Sequence, residues 1–234
     1  MTSTELTGGA GFTFEDAVAS VYLASLLTGM SARGLPMPCT GVALQREAVG
    51  HPLDDIVVTG SDGRGTTMRL DLQATRSLSL TAGDAKFADI VARAWETIRK
   101  DGFSLGFDRV GAACGRVAAQ RERDFRFVTD AARASKDAAD FAQRFPTFSQ
   151  ARQVLVEVIR GHIDPAATVM DAWKLLRHFV LLSFDLEGED RVLLREPLGR
   201  TRVTLCARSK EKLRRFLNKE RNTDRRDQRD KAGT

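Results

Sequence analysis

Three short motifs in the first 76 residues carry residue types that can bind a divalent cation. They are Glu15 in Gly11-Phe12-Thr13-Phe14-Glu15, the pair Asp54-Asp55 before Ile56-Val57-Val58, and Leu70-Asp71-Leu72-Gln73-Ala74-Thr75-Arg76. Mg²⁺ prefers oxygen ligands, and one or two protein carboxylates suffice when a phosphate and water supply the rest. A cation held in this way polarises a phosphate and activates water for hydrolysis.

The second and third motifs fall on neighbouring strands of a predicted hairpin. Ile56–Thr59 is short and β-branched, and Met68–Gln73 alternates apolar and polar residues with the period of a half-buried strand. The turn Gly60-Ser61-Asp62-Gly63 separates them and favours antiparallel pairing. A carboxylate before the first strand and a polar residue on the second can then converge on one hard cation.

The remaining elements follow from hydrophobic periodicity. Phe12–Leu27 is predicted as a helix, Val42–Val49 and Arg109–Cys114 as further strands, and a second helix runs from Ala82 to about Lys100. Four later segments have a helical period: Ala118–Ala134, Lys136–Arg144, Ser149–Arg160 and Ala166–Leu182. A last hairpin is predicted around Pro197-Leu198-Gly199.

This order of elements predicts an α/β fold in which helices flank a mixed sheet and the C-terminal half is helical. We divide the chain into a core at 8–116, a helical extension at 117–207 and a charged tail at 208–234. The net charge of +5 comes from that tail, which has 11 basic and 5 acidic residues between Arg208 and Lys231. The basic balance is therefore weak support for nucleic-acid binding by the folded body.

Composition excludes several classes of protein. With 29% charged and 42% hydrophobic residues, the chain of 234 residues is not wholly disordered. No apolar run approaches the ~20 residues that span a bilayer, and the first residues do not resemble a secretory signal. The three cysteines, Cys39, Cys114 and Cys206, match no metal-ligand spacing and favour buried thiols in a reduced cytoplasmic protein.

Together the three motifs resemble the PD-(D/E)xK restriction-endonuclease-like family, in the variant with Gln in the third motif. The resemblance is strongest to the double-stranded DNA endonuclease domain of bacterial antiphage effectors of the CBASS type. It covers about residues 8–114, including Ser77–Phe87 and Asp108-Arg109-Val110-Gly111, and continues more vaguely to about residue 205.

The resemblance implies a role for each motif. Asp55 is the principal ligand of Mg²⁺ or Mn²⁺, with Asp54 as its neighbour or substitute, and Gln73 replaces the usual second acid. Glu15 is the carboxylate of the first helix near the metal. The partners implied are double-stranded DNA and a sensor domain or subunit of a defence system.

The chain departs from this family at one position. The catalytic lysine is expected two residues after Gln73, where this sequence has Thr75. A threonine supplies no positive charge, and loss of a charge-stabilising group commonly costs ~10²–10³ in rate. Arg76 is adjacent but falls on the other face of a regular strand.

Three hypotheses follow. The first is a metal-dependent DNA endonuclease of a defence system, impaired by Thr75. The second is an inactive, nuclease-derived subunit that binds DNA or acts as a scaffold in a defence complex. In the third, the motifs are structural only, and the chain binds neither metal nor DNA.

Overall fold

Five strands form one mixed sheet in the order β1-β2-β3-β4-β5. The strands are β1 Cys39–Leu44, β2 Ile56–Ser61, β3 Thr67–Thr75, β4 Arg109–Cys114 and β5 Phe179–Ser183. The first three pair antiparallel, and the last three pair parallel. The computed structural model describes residues 5–45, 51–53, 55–115 and 117–186, with the backbone only for 5–13. All of these belong to the unit Met1–Val192.

Helices cover both faces of the sheet, as predicted for an α/β fold. They are α1 Glu5–Thr28, α2 Ala85–Arg99, α3 Ala119–Ala134, α4 Ala138–Arg144, α5 Gln150–Ile163 and α6 Val169–Leu176, with a 3-10 turn at Phe145–Thr147. One core lies between α1 and the face of the sheet that carries Leu70 and Leu72. The second core lies on the opposite face, where buried residues of α2, α3, α5 and α6 cluster with those of β4 and β5.

Local sequence signals explain where several elements begin and turn. In the β2–β3 turn, the carboxylate of Asp62 accepts hydrogen bonds from the backbone N–H groups of Arg64 (2.7 Å) and Thr66 (3.2 Å). The side chain of Asp84 caps α2 by accepting from the N–H groups of Lys86 and Phe87. Short polar side chains therefore fix both the hairpin and the start of the helix that covers it.

Two predicted boundaries at the N-terminal side differ from the structure. The first helix begins at Glu5 rather than Phe12 and so includes Gly8, Gly9 and Gly11. The first strand is Cys39–Leu44 rather than Val42–Val49. Glycines disfavour a helix by ~1 kcal/mol each, which is why sequence alone placed the start too late.

The prediction of one helix over Ala166–Leu182 is wrong in its last third. Helix α6 ends at Leu176, and Phe179–Ser183 forms the fifth strand, parallel to β4. The run Phe179-Val180-Leu181-Leu182 is apolar throughout, so its periodicity does not distinguish a strand from a buried helix. Pairing with β4 decides the outcome.

Several predictions concern residues outside the described ones: the hairpin around Pro197-Leu198-Gly199, the tail 208–234, and Cys206. The division at residues 116 and 207 stays a prediction.

Cys39 and Cys114 are free and buried, as expected. None of the helices in the described part of the chain combines the length and apolar character that spanning a membrane requires.

Candidate metal centre

The hairpin brings Asp55 and Gln73 into direct contact. Asp55 immediately precedes β2, whose first residue, Ile56, pairs with Leu72, so Asp55 lies opposite Gln73 across the strands. The side-chain amide of Gln73 donates a hydrogen bond from Nε2 to Asp55 Oδ2 at 2.5 Å. The backbone N–H of Ala74 donates to the same oxygen at 2.7 Å. The carboxylate of Asp55 is therefore held in a fixed orientation by the end of β3.

The other end of the Gln73 amide is unusual. Its Oε1 is buried and has no hydrogen-bond partner among the described residues. Leaving a buried acceptor unpaired costs roughly 1–3 kcal/mol, so native proteins rarely keep one without a reason. Amide and carboxylate oxygens are ligands that suit Mg²⁺ or Mn²⁺. The pair therefore fits a divalent cation in its chemistry.

Protein ligands alone do not complete such a site. Among the residues that the structure describes, no group of three or more His, Cys, Asp or Glu side chains is placed to hold a metal ion. A cation between Asp55 and Gln73 would take its remaining ligands from water and from a phosphate, as Mg²⁺ commonly does. Asp54, the predicted neighbour or substitute of Asp55, lies outside the described residues.

Glu15 lies near the same end of the sheet as the Asp55–Gln73 pair, but it belongs to α1, which covers the opposite face of the sheet. Its neighbour Phe14 packs in the core between α1 and the sheet, and a Cβ on Gly115, just after β4, would lie 3.9 Å from Phe14 Cε2. Gln73 alternates with Leu72 and Ala74, which belong to the α1 side, and so belongs to the opposite face. Glu15 is half-buried, and its role as a ligand stays a prediction.

Thr75 takes the position of the expected lysine. It is the last residue of β3 and lies two residues after Gln73, so both belong to the same face. Its hydroxyl donates a hydrogen bond to the backbone carbonyl of Ser77 at 3.4 Å. Arg76 is exposed and follows the end of the strand. The position beside the Asp55–Gln73 pair thus carries a neutral hydroxyl that is turned towards its own chain.

Asp71 is a residue whose importance the sequence analysis missed. The prediction of a half-buried strand left it on a polar face, but its exposure is 0%. Arg69 Nε lies 3.2 Å from its Oδ1, and His51 Nδ1 lies 3.7 Å from its Oδ2. Burial raises the pKa of Asp71 to about 7, against the opposing effect of Arg69. Its place in the central strand of a sheet covered on both faces was the signal that could have revealed its burial.

Comparisons with known proteins give only partial similarities of fold. No family model matches the chain, and no curated protein matches it. One similar solved structure is the Acinetobacter baumannii Cap4 SAVED/CARF-domain containing receptor with the cyclic trinucleotide 3'3'3'-cAAA, at 14% identity over 82% of this chain and a TM-score of 0.47. The Moraxella osloensis Cap4 SAVED/CARF-domain containing receptor is 19% identical over 81% of this chain, with a TM-score of 0.43.

This chain spans little more than a third of those structures, 37% of the first and 38% of the second. Identities below 20% and TM-scores below 0.5 describe a partial likeness of the chain trace. They assign neither an activity nor a ligand to this protein.

Proposed function

We propose that this chain is a nuclease-derived DNA-binding module of an antiphage defence system, with a divalent-cation site at Asp55 and Gln73 and with little or no cleavage activity. One observation carries the proposal. The Gln73 amide bonds to the Asp55 carboxylate through its nitrogen and keeps a buried oxygen without a hydrogen-bond partner among the described residues, while the position that needs a cationic side chain holds Thr75. Binding chemistry is retained there without the group that would stabilise the transition state.

The protein's own residues do the positioning in this proposal. Ala74 N–H and Gln73 Nε2 orient the carboxylate of Asp55, and Gln73 Oε1 offers a second oxygen on the same side of the strand pair. Mg²⁺ or Mn²⁺ held there would supply a Lewis acid for a DNA phosphate. Because Thr75 donates to Ser77 and is neutral, it neither stabilises developing charge nor orients water as a lysine would.

A second candidate function is a metal-dependent endonuclease that hydrolyses phosphodiester bonds of double-stranded DNA. The retained Asp55 and Gln73 oxygens favour it, since one carboxylate and a phosphate can suffice to hold Mg²⁺. Under either function, the protein works in the cytoplasm with double-stranded DNA and with a sensor domain or subunit. This context rests on the sequence resemblance to antiphage effector domains.

An assay of binding and cleavage separates the two functions. The full chain is incubated with plasmid DNA and with a labelled duplex, with Mg²⁺ or with EDTA, and both bound and nicked DNA are measured. We expect the wild type to bind the duplex more tightly with Mg²⁺ while leaving the plasmid intact or nicking it slowly. Asp55→Ala should remove the Mg²⁺-dependent part of binding, and Asp101→Ala, at an exposed residue after α2, should not.

Two outcomes count against the proposal. Rapid nicking by the wild type that Asp55→Ala abolishes would establish the endonuclease instead. Absence of duplex binding in all three proteins, with folding verified by circular dichroism, would leave the motifs a structural role only.

A further inference from the structure

Three arginines meet at the end of the sheet opposite to the Asp55–Gln73 pair. Arg109 opens β4, Arg177 lies two residues before β5, and Arg133 lies in the last turn of α3. Arg109 pairs with Leu70, and Ala112 pairs with Gln73. The arginines and the Asp55–Gln73 pair therefore lie at different levels along the parallel strands β3 and β4. From Arg109 to Ala112, the residue level with Gln73, the strand rises about 10 Å at ~3.3 Å per residue. The arginines are thus distinct from the candidate metal centre.

Backbone contacts hold two of these guanidinium groups in place. Arg133 donates from Nη2 to the carbonyl of Phe179 at 2.6 Å and from Nε to the carbonyl of Arg177 at 3.3 Å. Arg109 donates from Nη1 to the carbonyls of Phe107 (3.1 Å) and Asp108 (2.9 Å). Both arginines are therefore fixed to the loops at the start of β4 and β5. Because their side chains are already ordered, they lose less conformational entropy when a ligand binds.

The third guanidinium is held by an aromatic ring. Arg177 lies over the ring of Trp173, 4.8 Å from its centroid. Stacking of this kind orients the planar group while leaving its N–H donors at the edge. Arg177 is half-buried, and its backbone carbonyl accepts the hydrogen bond from Arg133, so the stacked side chain lies next to that arginine.

The positive charge of this cluster is poorly neutralised. Asp130 lies 3.2 Å from Arg133, whereas neither Arg109 nor Arg177 has a carboxylate within ion-pair distance in the described part of the chain. Asp108 is nearby, but its carboxylate oxygens accept from the backbone N–H groups of Arg69 (2.8 Å) and Ser104 (2.9 Å). The three arginines therefore carry more positive charge than Asp130 and Asp108 balance.

The charges of Arg133 and Arg177 act on the groups beside them. Burial lowers the pKa of Arg109, and the charges of Arg133 and Arg177 lower it further. Burial, together with all three arginines, lowers the pKa of the adjacent His178 to about 4, so this imidazole is neutral and adds no charge at pH 7. Arginines that lie this close repel one another, and an anionic ligand would relieve that repulsion.

We propose that Arg109, Arg133 and Arg177 form a phosphate-binding site that takes the backbone of a single strand of nucleic acid. Guanidinium groups match phosphate oxygens in fork geometry better than an ammonium does. The loop that holds Arg109 also exposes Phe107 (48%) and Leu105 (61%). An exposed aromatic ring two residues before Arg109 suits base stacking, which a free phosphate or an acidic peptide does not use.

The test measures binding of a fluorescent oligothymidylate to the full chain by anisotropy, in EDTA so that no cation engages Asp55. The double variant Arg109→Gln/Arg177→Gln is expected to weaken binding at least tenfold and to lower the slope of log K against log salt by about 1.4, from ~0.7 per phosphate contact. Arg99→Gln is the matched control, because Arg99 also stacks on a tryptophan, Trp95, at 5.7 Å. It should leave binding unchanged.

A second variant tests the stacking separately. Phe107→Ala removes an exposed ring, and we expect it to weaken oligothymidylate binding several-fold with the salt slope unchanged. Equal affinities of the wild type and the double variant would overturn the proposal. Competition by polyglutamate as effective as by the oligonucleotide would overturn the phosphate assignment. Arginine-dependent binding of pyrophosphate without binding of the oligonucleotide would overturn the assignment of a nucleic-acid strand as the ligand.

Because EDTA removes the cation, this result does not depend on the candidate metal centre. Loss of Mg²⁺-dependent duplex binding in Asp55→Ala and loss of oligothymidylate binding in the arginine variant are separate observations. Either can fail without the other.

Discussion

Thr75→Lys is expected to raise the rate of Mg²⁺-dependent plasmid nicking at least about 10²-fold above that of the wild type, the scale on which a single charge-stabilising group acts. Residue 75 follows Gln73 by two positions on β3, so a lysine there belongs to the face that holds the Asp55–Gln73 pair. Its ammonium group would replace a hydroxyl that donates to Ser77. The measurement is the initial nicking rate of supercoiled plasmid.

Two variants make this result interpretable. Ser77→Lys adds the same charge two residues further along, at an exposed position outside β3, and should leave the rate at the wild-type level. Thr75→Lys combined with Asp55→Ala should lose the gain completely, because the lysine acts only on a phosphate that the Asp55 site holds. A gain that survives loss of Asp55, or equal rates for the Thr75 and Ser77 variants, would mean that the site is not a disabled nuclease centre.

Gly111→Ala is expected to lower the free energy of unfolding by at least about 3 kcal/mol, the upper range for overpacking. A Cβ on Gly111 would overlap the carbonyl oxygen of Val180 and lie 2.8 Å from its carbonyl carbon. Both atoms belong to the backbone of β5, which pairs directly with β4 at this point. The two strands would have to separate, since no side-chain rotation relieves the clash.

Urea denaturation followed by circular dichroism measures this loss. Gly83→Ala is the matched control, because a Cβ there meets nothing within 4 Å and the backbone is not left-handed. It should change the free energy of unfolding by no more than about 0.5 kcal/mol. Equal stabilities of the two variants would show that β5 does not pair with β4 as described.

Much of the sheet was predictable because its signals are local. The strand Arg109–Cys114 has the predicted bounds, and the hairpin of β2 and β3 follows from alternation and from the turn at Asp62. The same hairpin made the meeting of Asp55 and Gln73 an expectation of the sequence. Alternation fixed the strands, and antiparallel pairing fixed which residues face each other.

The features that sequence analysis missed depend on contacts between distant segments. The strand β5 forms only because β4 offers it an edge, and the buried Asp71 meets His51, which comes from a separate segment before β2. The arginine cluster joins three segments, and Arg133 and Arg177 alone are 44 residues apart in the chain. No local pattern brings such residues together, so their charges could not be read as one site.

Manganese binding to the full chain, measured by electron paramagnetic resonance, tests the central claim most directly. Mn²⁺ alone is titrated into the wild type, Asp55→Ala, Gln73→Ala and the control Asp101→Ala. We expect one site in the wild type and in the control, loss of that site in Asp55→Ala, and weaker binding in Gln73→Ala because its amide oxygen is removed. Identical titrations of all four proteins would contradict a cation site at Asp55 and Gln73.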